Sequence, residues 1–178
     1  AVCKLLEIRL NDEDLHAIAQ GIGADASYFL SGGTVLATSW GEKIRVLPDA
    51  QADANIILLC SGVEELNKTP RMYGMLDTGM FSDGSATDTL VSALEVGAPV
   101  TDDHLYNVFD LVALKMFPSL QTAWKDFATS SGTRVQLCGS GPTLFTIVPA
   151  ERASAVAERM RSLGYDPIIG SMVGGRRV

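Results

Sequence analysis

The apolar run at residues 55–60, Asn-Ile-Ile-Leu-Leu-Cys, restricts the fold of this chain more than any other feature. The run is far too short to cross a bilayer, and it has no alternation of apolar and polar residues. It therefore predicts a strand that is covered on both faces. Further strands are predicted at residues 134–138, 143–148 and 166–173, where short apolar segments are bounded by turn residues.

Apolar residues at helical spacing separate these strands. Four helices are predicted between the first strand and the second: one starts at Thr69-Pro70, one is capped by Ser85, one covers about residues 102–117, and one runs from Ser119 to near Gly132. Another begins at Pro149 and ends at Gly164. The order strand, helices, strand, strand, helix, strand predicts the α+β class, with a ferredoxin-like split βαβ layout and extra helices in the first crossover. Such a fold does not by itself assign an activity.

The first 50 residues form a separate predicted region. Asn11 is placed to cap a helix, Asp14 stands three residues later as in a capping box, and Gly21 and Gly23 mark the end. The residues expected on its buried face are Leu15, Ile18, Ala19 and Ile22.

A hairpin of two strands is expected after this helix, at residues 34–38 and 43–47. The stretch that follows, residues 48–54, is polar and irregular, so a domain boundary is placed there. The predicted domains are residues 1–50 and residues 51–178.

Charge and cysteine content exclude several function classes. The net charge is -7 and the pI is near 4.7, so nucleic acid and anionic membrane surfaces would be repelled on average. The chain starts without a basic region followed by an apolar block, so no signal peptide is expected. The thiols of Cys3, Cys60 and Cys138 lack metal-type spacing, which predicts a cytoplasmic protein with core or neutral cysteines. His16 and His104 have no acidic or thiol partner at ligand spacing and are expected at the surface or at helix edges.

Asp25 is the acidic residue that the sequence singles out. It follows the predicted first helix and precedes an apolar run closed by Gly32-Gly33. An aspartate in such a place commonly holds a turn through its own side-chain hydrogen bonds. The alternative is a carboxylate kept for proton transfer, and the spacing of the residues leaves both interpretations open.

Four segments, in this order, resemble the GHMP kinases. They are Gly23-Ala24-Asp25 with the following aromatic and Gly32-Gly33-Thr34; Gly41-Glu42 with Leu47-Pro48; Thr69-Pro70-Arg71-Met72-Tyr73 with Leu76-Asp77; and Gly139-Ser140-Gly141-Pro142-Thr143. The similarity covers nearly the whole chain. One departure is visible, because the family usually has Val-Pro where this chain has Ala26-Ser27. Proline would fix the backbone of that turn.

The resemblance implies a small-molecule kinase that uses ATP and Mg²⁺. It implies that Asp25 is the catalytic proton acceptor, and that Thr69 and Tyr73 bind a cytidine-diphosphate-linked polyol, with the aromatic ring over the cytosine. Gly139, Ser140 and Gly141 are expected near the nucleotide phosphates. No protein ligand to the metal is assigned, and nucleic acid and membranes are not expected partners.

In the family, a phosphate loop and a lysine-bearing strand precede the first helix of this chain. We therefore expect the chain to be the carboxy-terminal part of a longer enzyme, inactive without its amino-terminal half. Residues 1–50 would end the amino-terminal domain and residues 51–178 would form the carboxy-terminal domain.

Two alternatives remain at this point. One is a GHMP kinase with another acceptor, such as mevalonate, homoserine or a sugar. The other is a non-catalytic ferredoxin-like binding module, in which Asp25 shapes a turn, Tyr73 is a packing aromatic and the 139–143 turn only connects two strands.

Overall fold

The computed structural model of the protein describes residues 5–50, 53–63 and 65–172. They form two compact units: the described residues up to Ala50 make the smaller one, and those from residue 53 to Met172 make the larger one. The predicted assignment of these regions to the two domains of a kinase stays a prediction. None of the helices in the described ranges is long and apolar enough to cross a membrane.

The smaller unit consists of short helices and a hairpin. Its elements are α1 (Asp12–Ile22), a 3-10 turn (Ala24–Ser27), α2 (Tyr28–Ser31), β1 (Val35–Thr38) and β2 (Lys43–Val46). The two strands are antiparallel, with Val35 opposite Val46 and Thr38 opposite Lys43. The predicted hairpin is therefore confirmed.

Helix α1 begins as predicted but does not bury the predicted face. The Asn11 side chain accepts a hydrogen bond from the Asp14 backbone N–H at 2.8 Å, which confirms the cap. Of the predicted stripe only Ala19 is buried, and Ile18 and Ile22 are 53% and 77% exposed. The stripe prediction was wrong because a two-stranded hairpin and the four-residue α2 offer little apolar surface to cover a helix face.

The larger unit contains one sheet and five helices in its described ranges. The elements are β3 (Ala54–Leu59), α3 (Lys68–Gly74), α4 (Ser85–Glu95), α5 (Asp110–Met116), α6 (Leu120–Ser131), β4 (Gln136–Leu137), β5 (Leu144–Pro149), α7 (Ala150–Ser162) and β6 (Pro167–Ser171). Short 3-10 turns lie at Thr78–Met80 and Asp102–His104.

The sheet has the strand order β4-β5-β3-β6, and all neighbouring strands are antiparallel. Strand β5 lies between β3 and β4, and β3 lies between β5 and β6, so each helical crossover passes over one intervening strand. The α+β class is confirmed, and the strand order is compatible with a split βαβ layout.

The core lies between the sheet and helices α5, α6 and α7. Its buried side chains include Ile57, Leu59, Leu137, Leu144 and Val148 from the strands, and Val112, Met116, Leu120, Phe127, Val156 and Met160 from the helices. Helix α7 buries Ala153, Val156, Ala157 and Met160, whereas Leu163 just after its end is 52% exposed. Cys60 and Cys138 are exposed, so they do not pack in the core, and Cys3 lies outside the described residues.

The helix predicted at residues 102–117 is interrupted. Residues Asp102–His104 form a 3-10 turn, Leu105 is extended, and α5 begins only at Asp110. The side chain of Gln136 donates to the carbonyl oxygen of Leu105 at 2.9 Å. A tertiary hydrogen bond thus occupies the Leu105 carbonyl, which would accept a bond within a continuous helix. The spacing of apolar residues in the sequence does not reveal such a bond.

The predicted cap at Ser85 was wrong, and the helix predicted to start at Thr69-Pro70 begins one residue earlier, at Lys68. The cap position of α4 is Gly84, in the left-handed conformation, and the Asp83 carboxylate accepts from the Ser85 N–H at 3.0 Å. The cap position of α3 is the left-handed Asn67, which leaves the Thr69 hydroxyl free to bond elsewhere.

Candidate functional site

Asp25 lies in the 3-10 turn that follows α1 in the smaller unit. Backbone bonds close this segment: the Gly23 N–H donates to the Ala19 carbonyl at 3.2 Å, and the Ala26 N–H donates to the Gly23 carbonyl at 3.1 Å. The Asp25 side chain is exposed, and within the described residues its carboxylate has no hydrogen-bond or ion-pair partner. The turn therefore forms without help from this carboxylate.

Ser27 stands where the resembled family has proline. Its φ is -60°, close to the value that a proline ring imposes, so the backbone rotation at this residue is the one proline would fix. The side chain is fully buried, and its hydroxyl oxygen has no hydrogen-bond partner among the described residues. A buried hydroxyl without a partner is a local cost in stability.

The turn between β4 and β5, residues 139–143, is built around two glycines in the larger unit. Gly139 and Gly141 have φ values of 58° and 73°, in the region that favours glycine. A Cβ atom on Gly141 would lie 2.7 Å from a methyl carbon of Leu137. The Gly141 N–H donates to the Cys138 carbonyl at 3.0 Å, and the Cys138 N–H donates to the Thr143 carbonyl at 2.8 Å.

Helix α3 reaches this turn through two side chains. The Lys68 ammonium group donates to the carbonyl oxygen of Gly141. The Thr69 hydroxyl lies 2.9 Å from the Ser140 hydroxyl. The structure therefore brings together Thr69, a predicted substrate residue, and Ser140, a predicted nucleotide residue. Sequence reasoning missed Lys68, although a cation directly before Thr69-Pro70 was visible.

Residues 107–110 also hold this turn and the strand that leads into it. The Asn107 side-chain amide donates to the carbonyl oxygens of Leu137 at 3.0 Å and Gly139 at 2.8 Å. The Asp110 carboxylate accepts from the Leu137 N–H at 2.9 Å. Both residues were missed because they fell inside the predicted continuous helix, where their side chains had no evident partner.

Asp110 is a partly buried acid beside the turn. Burial raises the pKa of its carboxyl to about 6 from an ordinary value of 3.8, against the lowering effects of the Leu137 N–H and the Arg134 charge. A carboxyl with this pKa is mostly ionised at neutral pH and is protonated in mild acid.

Tyr73 lies one helical turn after Thr69, on the same face of α3. Its ring packs edge-on against the buried Phe109 ring, with centroids 5.0 Å apart and planes at 81°. The side chain is still 59% exposed. An aromatic ring that is held by one ring contact and is largely open to solvent is suited to stack on a planar ligand.

The larger unit thus gathers five of the six predicted site residues around one turn and one helix: Thr69, Tyr73, Gly139, Ser140 and Gly141. Asp25 belongs to the smaller unit. The Lys68 ammonium group adds positive charge at the turn, whereas Arg71 is paired with Glu65 at 2.7 Å.

The predicted Mg²⁺ has no assigned protein ligands in this structure. In the described ranges, no three His, Cys, Asp or Glu side chains are grouped to hold a metal ion. Mg²⁺ that enters with a nucleotide is bound mainly by phosphate oxygens and water, with one or two protein carboxylates. The described residues therefore identify no dedicated cage, and the metal remains an expectation tied to the nucleotide.

Comparison with known families gives a match at residues 90–166, to the family described as GHMP kinases C terminal. This segment runs from α4 through β4 and β5 to the end of α7, and it includes the 139–143 turn. This segment is similar to the carboxy-terminal domain of GHMP kinases. It carries the turn held by Asn107 and Asp110.

Three curated relatives that align with this chain share one name, 4-diphosphocytidyl-2-C-methyl-D-erythritol kinase. The relative from Dehalococcoides mccartyi is 27% identical over 154 residues, which cover 86% of this chain and 54% of the relative. The relative from Brevibacillus brevis is 29% identical over 176 residues, covering 97% of this chain and 59% of the relative. The relative from Synechococcus elongatus is 30% identical over 175 residues, covering 89% and 55%. The chain thus spans somewhat more than half the length of these relatives.

Solved structures share the fold. The crystal structure of 4-(cytidine 5'-diphospho)-2C-methyl-D-erythritol kinase has a TM-score of 0.75 at 24% identity, covering 98% of this chain and 61% of that chain. A homoserine kinase from Cytophaga hutchinsonii has a TM-score of 0.72 at 16% identity, covering 99% and 62%. At these identities the likeness shows the fold of a GHMP kinase and does not separate the two acceptors.

Proposed function

We propose that the full-length protein containing this chain is an ATP-dependent kinase. It phosphorylates the 2-hydroxyl of 4-diphosphocytidyl-2-C-methyl-D-erythritol, a reaction of the non-mevalonate isoprenoid pathway. The observation that carries the proposal is the contact between Thr69 on α3 and Ser140 in the 139–143 turn, which makes the expected substrate helix and the expected phosphate turn neighbours. The shared name of relatives that align over most of the chain supports this acceptor.

In the proposed reaction, the acceptor hydroxyl attacks the terminal phosphorus of ATP. The new O–P bond forms, the bond from that phosphorus to the bridging oxygen breaks, and ADP leaves with the bond's electrons. Asp25 orients the hydroxyl and accepts its proton as the O–P bond forms. The exposure of the Asp25 carboxylate and its lack of partners among the described residues support this role.

The 139–143 turn places donors near the phosphates. Small residues allow backbone N–H groups to approach an anion closely, and Lys68 adds an ammonium group at Gly141. The carbonyl oxygens of Gly139 and Gly141 are engaged by Asn107 and Lys68. These carbonyls are therefore turned toward protein donors, which reduces their repulsion of a phosphate.

Tyr73 binds the cytosine ring in this proposal. Stacking of a base on an aromatic ring contributes roughly 1 to 3 kcal/mol. The edge contact with Phe109 fixes the ring while leaving it 59% exposed. Mg²⁺, when bound with ATP, would offset phosphate charge during the transfer.

An acceptor panel tests the function. The full-length protein is incubated with ATP and, in separate reactions, 4-diphosphocytidyl-2-C-methyl-D-erythritol, mevalonate, homoserine and galactose, and ADP release is measured. The proposal expects the highest kcat/KM with the cytidine-linked acceptor. Higher kcat/KM with another acceptor would assign a different GHMP kinase activity, and no ADP release above background with any acceptor would favour a non-catalytic module.

A further inference from the structure

Asn107 uses both N–H donors and the carbonyl oxygen of its side-chain amide. Its Nδ2 donates to the carbonyl oxygens of Leu137 at 3.0 Å and Gly139 at 2.8 Å, and its Oδ1 accepts from the Phe109 N–H at 3.1 Å. A reversed amide would place Oδ1 against two carbonyl oxygens. The orientation of the amide is therefore fixed by its partners.

This bond also sets the direction of a neighbouring N–H group. In a trans peptide the C=O and the following N–H point in opposite directions across a rigid plane. The Gly139 carbonyl points to Asn107, so the N–H of Ser140 points away from Asn107. In addition, the Ser140 hydroxyl bonds to Thr69 and the Gly141 carbonyl accepts from Lys68. These three bonds together restrict the orientation of the Ser140 N–H.

We propose that Asn107 is a positioning residue that aims the Ser140 N–H at a phosphate oxygen of the bound nucleotide. This inference rests on the proposed function. An anionic ligand fits the direction because the N–H is a donor and the Lys68 ammonium, which has three N–H donors, lies one residue further along the turn. In a chain with a net charge of -7, such a local concentration of donors is what an anion requires.

The same segment serves both expected ligands. Asn107 fixes the 139–143 turn, and Phe109, two residues later, supports the Tyr73 ring. Asp110 then holds the Leu137 N–H, which anchors the strand leading into the turn. Residues 107–110 thus set the position of the phosphate turn relative to the exposed aromatic ring.

Replacing Asn107 with aspartate tests the inference with little change in shape. Asn107→Asp removes both N–H donors and places a carboxylate oxygen beside the carbonyls of Leu137 and Gly139. In the full-length enzyme we expect the KM for ATP to rise about tenfold to a hundredfold, the effect of losing one hydrogen bond to a charged group. The kcat and the KM for the acceptor should stay within about threefold of their wild-type values, because the lost bond weakens nucleotide binding equally in the ground state and in the transition state.

Asn55→Asp is the matched control, since it makes the same change at the start of β3. It should leave all three kinetic constants within about twofold. A purely structural role for Asn107 predicts a different pattern, in which the melting temperature, kcat and both KM values change together. That pattern would overturn the inference, and so would a KM for ATP within about twofold of wild type. The proposed function would still stand in either case, provided that the wild-type protein shows kinase activity.

A second measurement does not depend on a variant that folds. In the ¹⁵N-labelled full-length protein, a non-hydrolysable ATP analogue should move the Ser140 amide proton downfield, and adenosine should not. An unmoved Ser140 resonance at saturating analogue would overturn the inference. Absence of ADP release by the wild-type protein would instead count against the proposed function.

Discussion

Replacing Gly141 with alanine should destabilise the larger unit, and the structure gives the magnitude. The φ of Gly141 is 73°, where an L side chain costs roughly 1 to 2 kcal/mol. The new Cβ would also lie 2.7 Å from Leu137 Cδ2. Leu137 is 1% exposed within the core, so relieving that overlap adds about 1 to 3 kcal/mol. The expected loss for Gly141→Ala is therefore about 2 to 5 kcal/mol.

Gly139→Ala is the matched control in the same turn. Its φ is 58°, but a Cβ there would meet no heavy atom within 4 Å. Only the backbone cost of roughly 1 to 2 kcal/mol is expected. Urea denaturation of both full-length variants, followed by far-UV circular dichroism, measures the difference in the free energy of unfolding. Equal losses for the two variants, or a larger loss for Gly139→Ala, would refute the argument that Leu137 blocks a side chain at position 141.

Three further changes test other parts of the structure. Ser27→Ala should raise the free energy of unfolding by about 1 kcal/mol, because it removes a buried hydroxyl that has no hydrogen-bond partner among the described residues. A lower free energy of unfolding in urea denaturation would show that this hydroxyl does have a hydrogen-bond partner. Tyr73→Ala should raise the KM of the cytidine-linked acceptor about fivefold to a hundredfold, and Tyr73→Phe should leave it nearly unchanged; equal KM values for both variants would exclude stacking. Burial raises the pKa of Asp110 to about 6 in the folded state, so folding favours the protonated carboxyl. The stability that this preference adds is present below about pH 4 and is lost as the pH rises above 6. The urea midpoint of Asp110→Asn minus that of wild type should therefore be larger at pH 7.5 than at pH 4.5. The same difference at both pH values would contradict this.

Local signals in the sequence were sufficient for elements whose partners are near in the chain. The Asn11 cap bonds three residues away, and the β1–β2 hairpin pairs across a short connection. The apolar run at residues 55–60 correctly predicted a strand, but not its cover on both faces, because Ile57 and Leu59 are buried whereas Ile56 and Leu58 are only half-buried. The cap and the hairpin are decided by bonds within their own segments, whereas β3 pairs with the distant strands β5 and β6.

The arrangement around the 139–143 turn could not be predicted in this way. Asn107 meets Gly139 across 32 positions, and Lys68 meets Gly141 across 73. Such bonds follow from tertiary packing, which also ended the predicted helix at Leu105. The resemblance to a known family located Thr69 and Ser140, but only the fold shows that their hydroxyls are in contact.

Turnover of the Asp25→Asn variant of the full-length enzyme tests the central claim most directly. With saturating ATP and cytidine-linked acceptor, the account predicts that kcat falls about a hundredfold to ten-thousandfold, with an unchanged circular dichroism spectrum. Asp12→Asn, the same change at another exposed aspartate of the smaller unit, should retain wild-type turnover. A kcat for Asp25→Asn within about threefold of wild type would contradict the assignment of Asp25 as the proton acceptor.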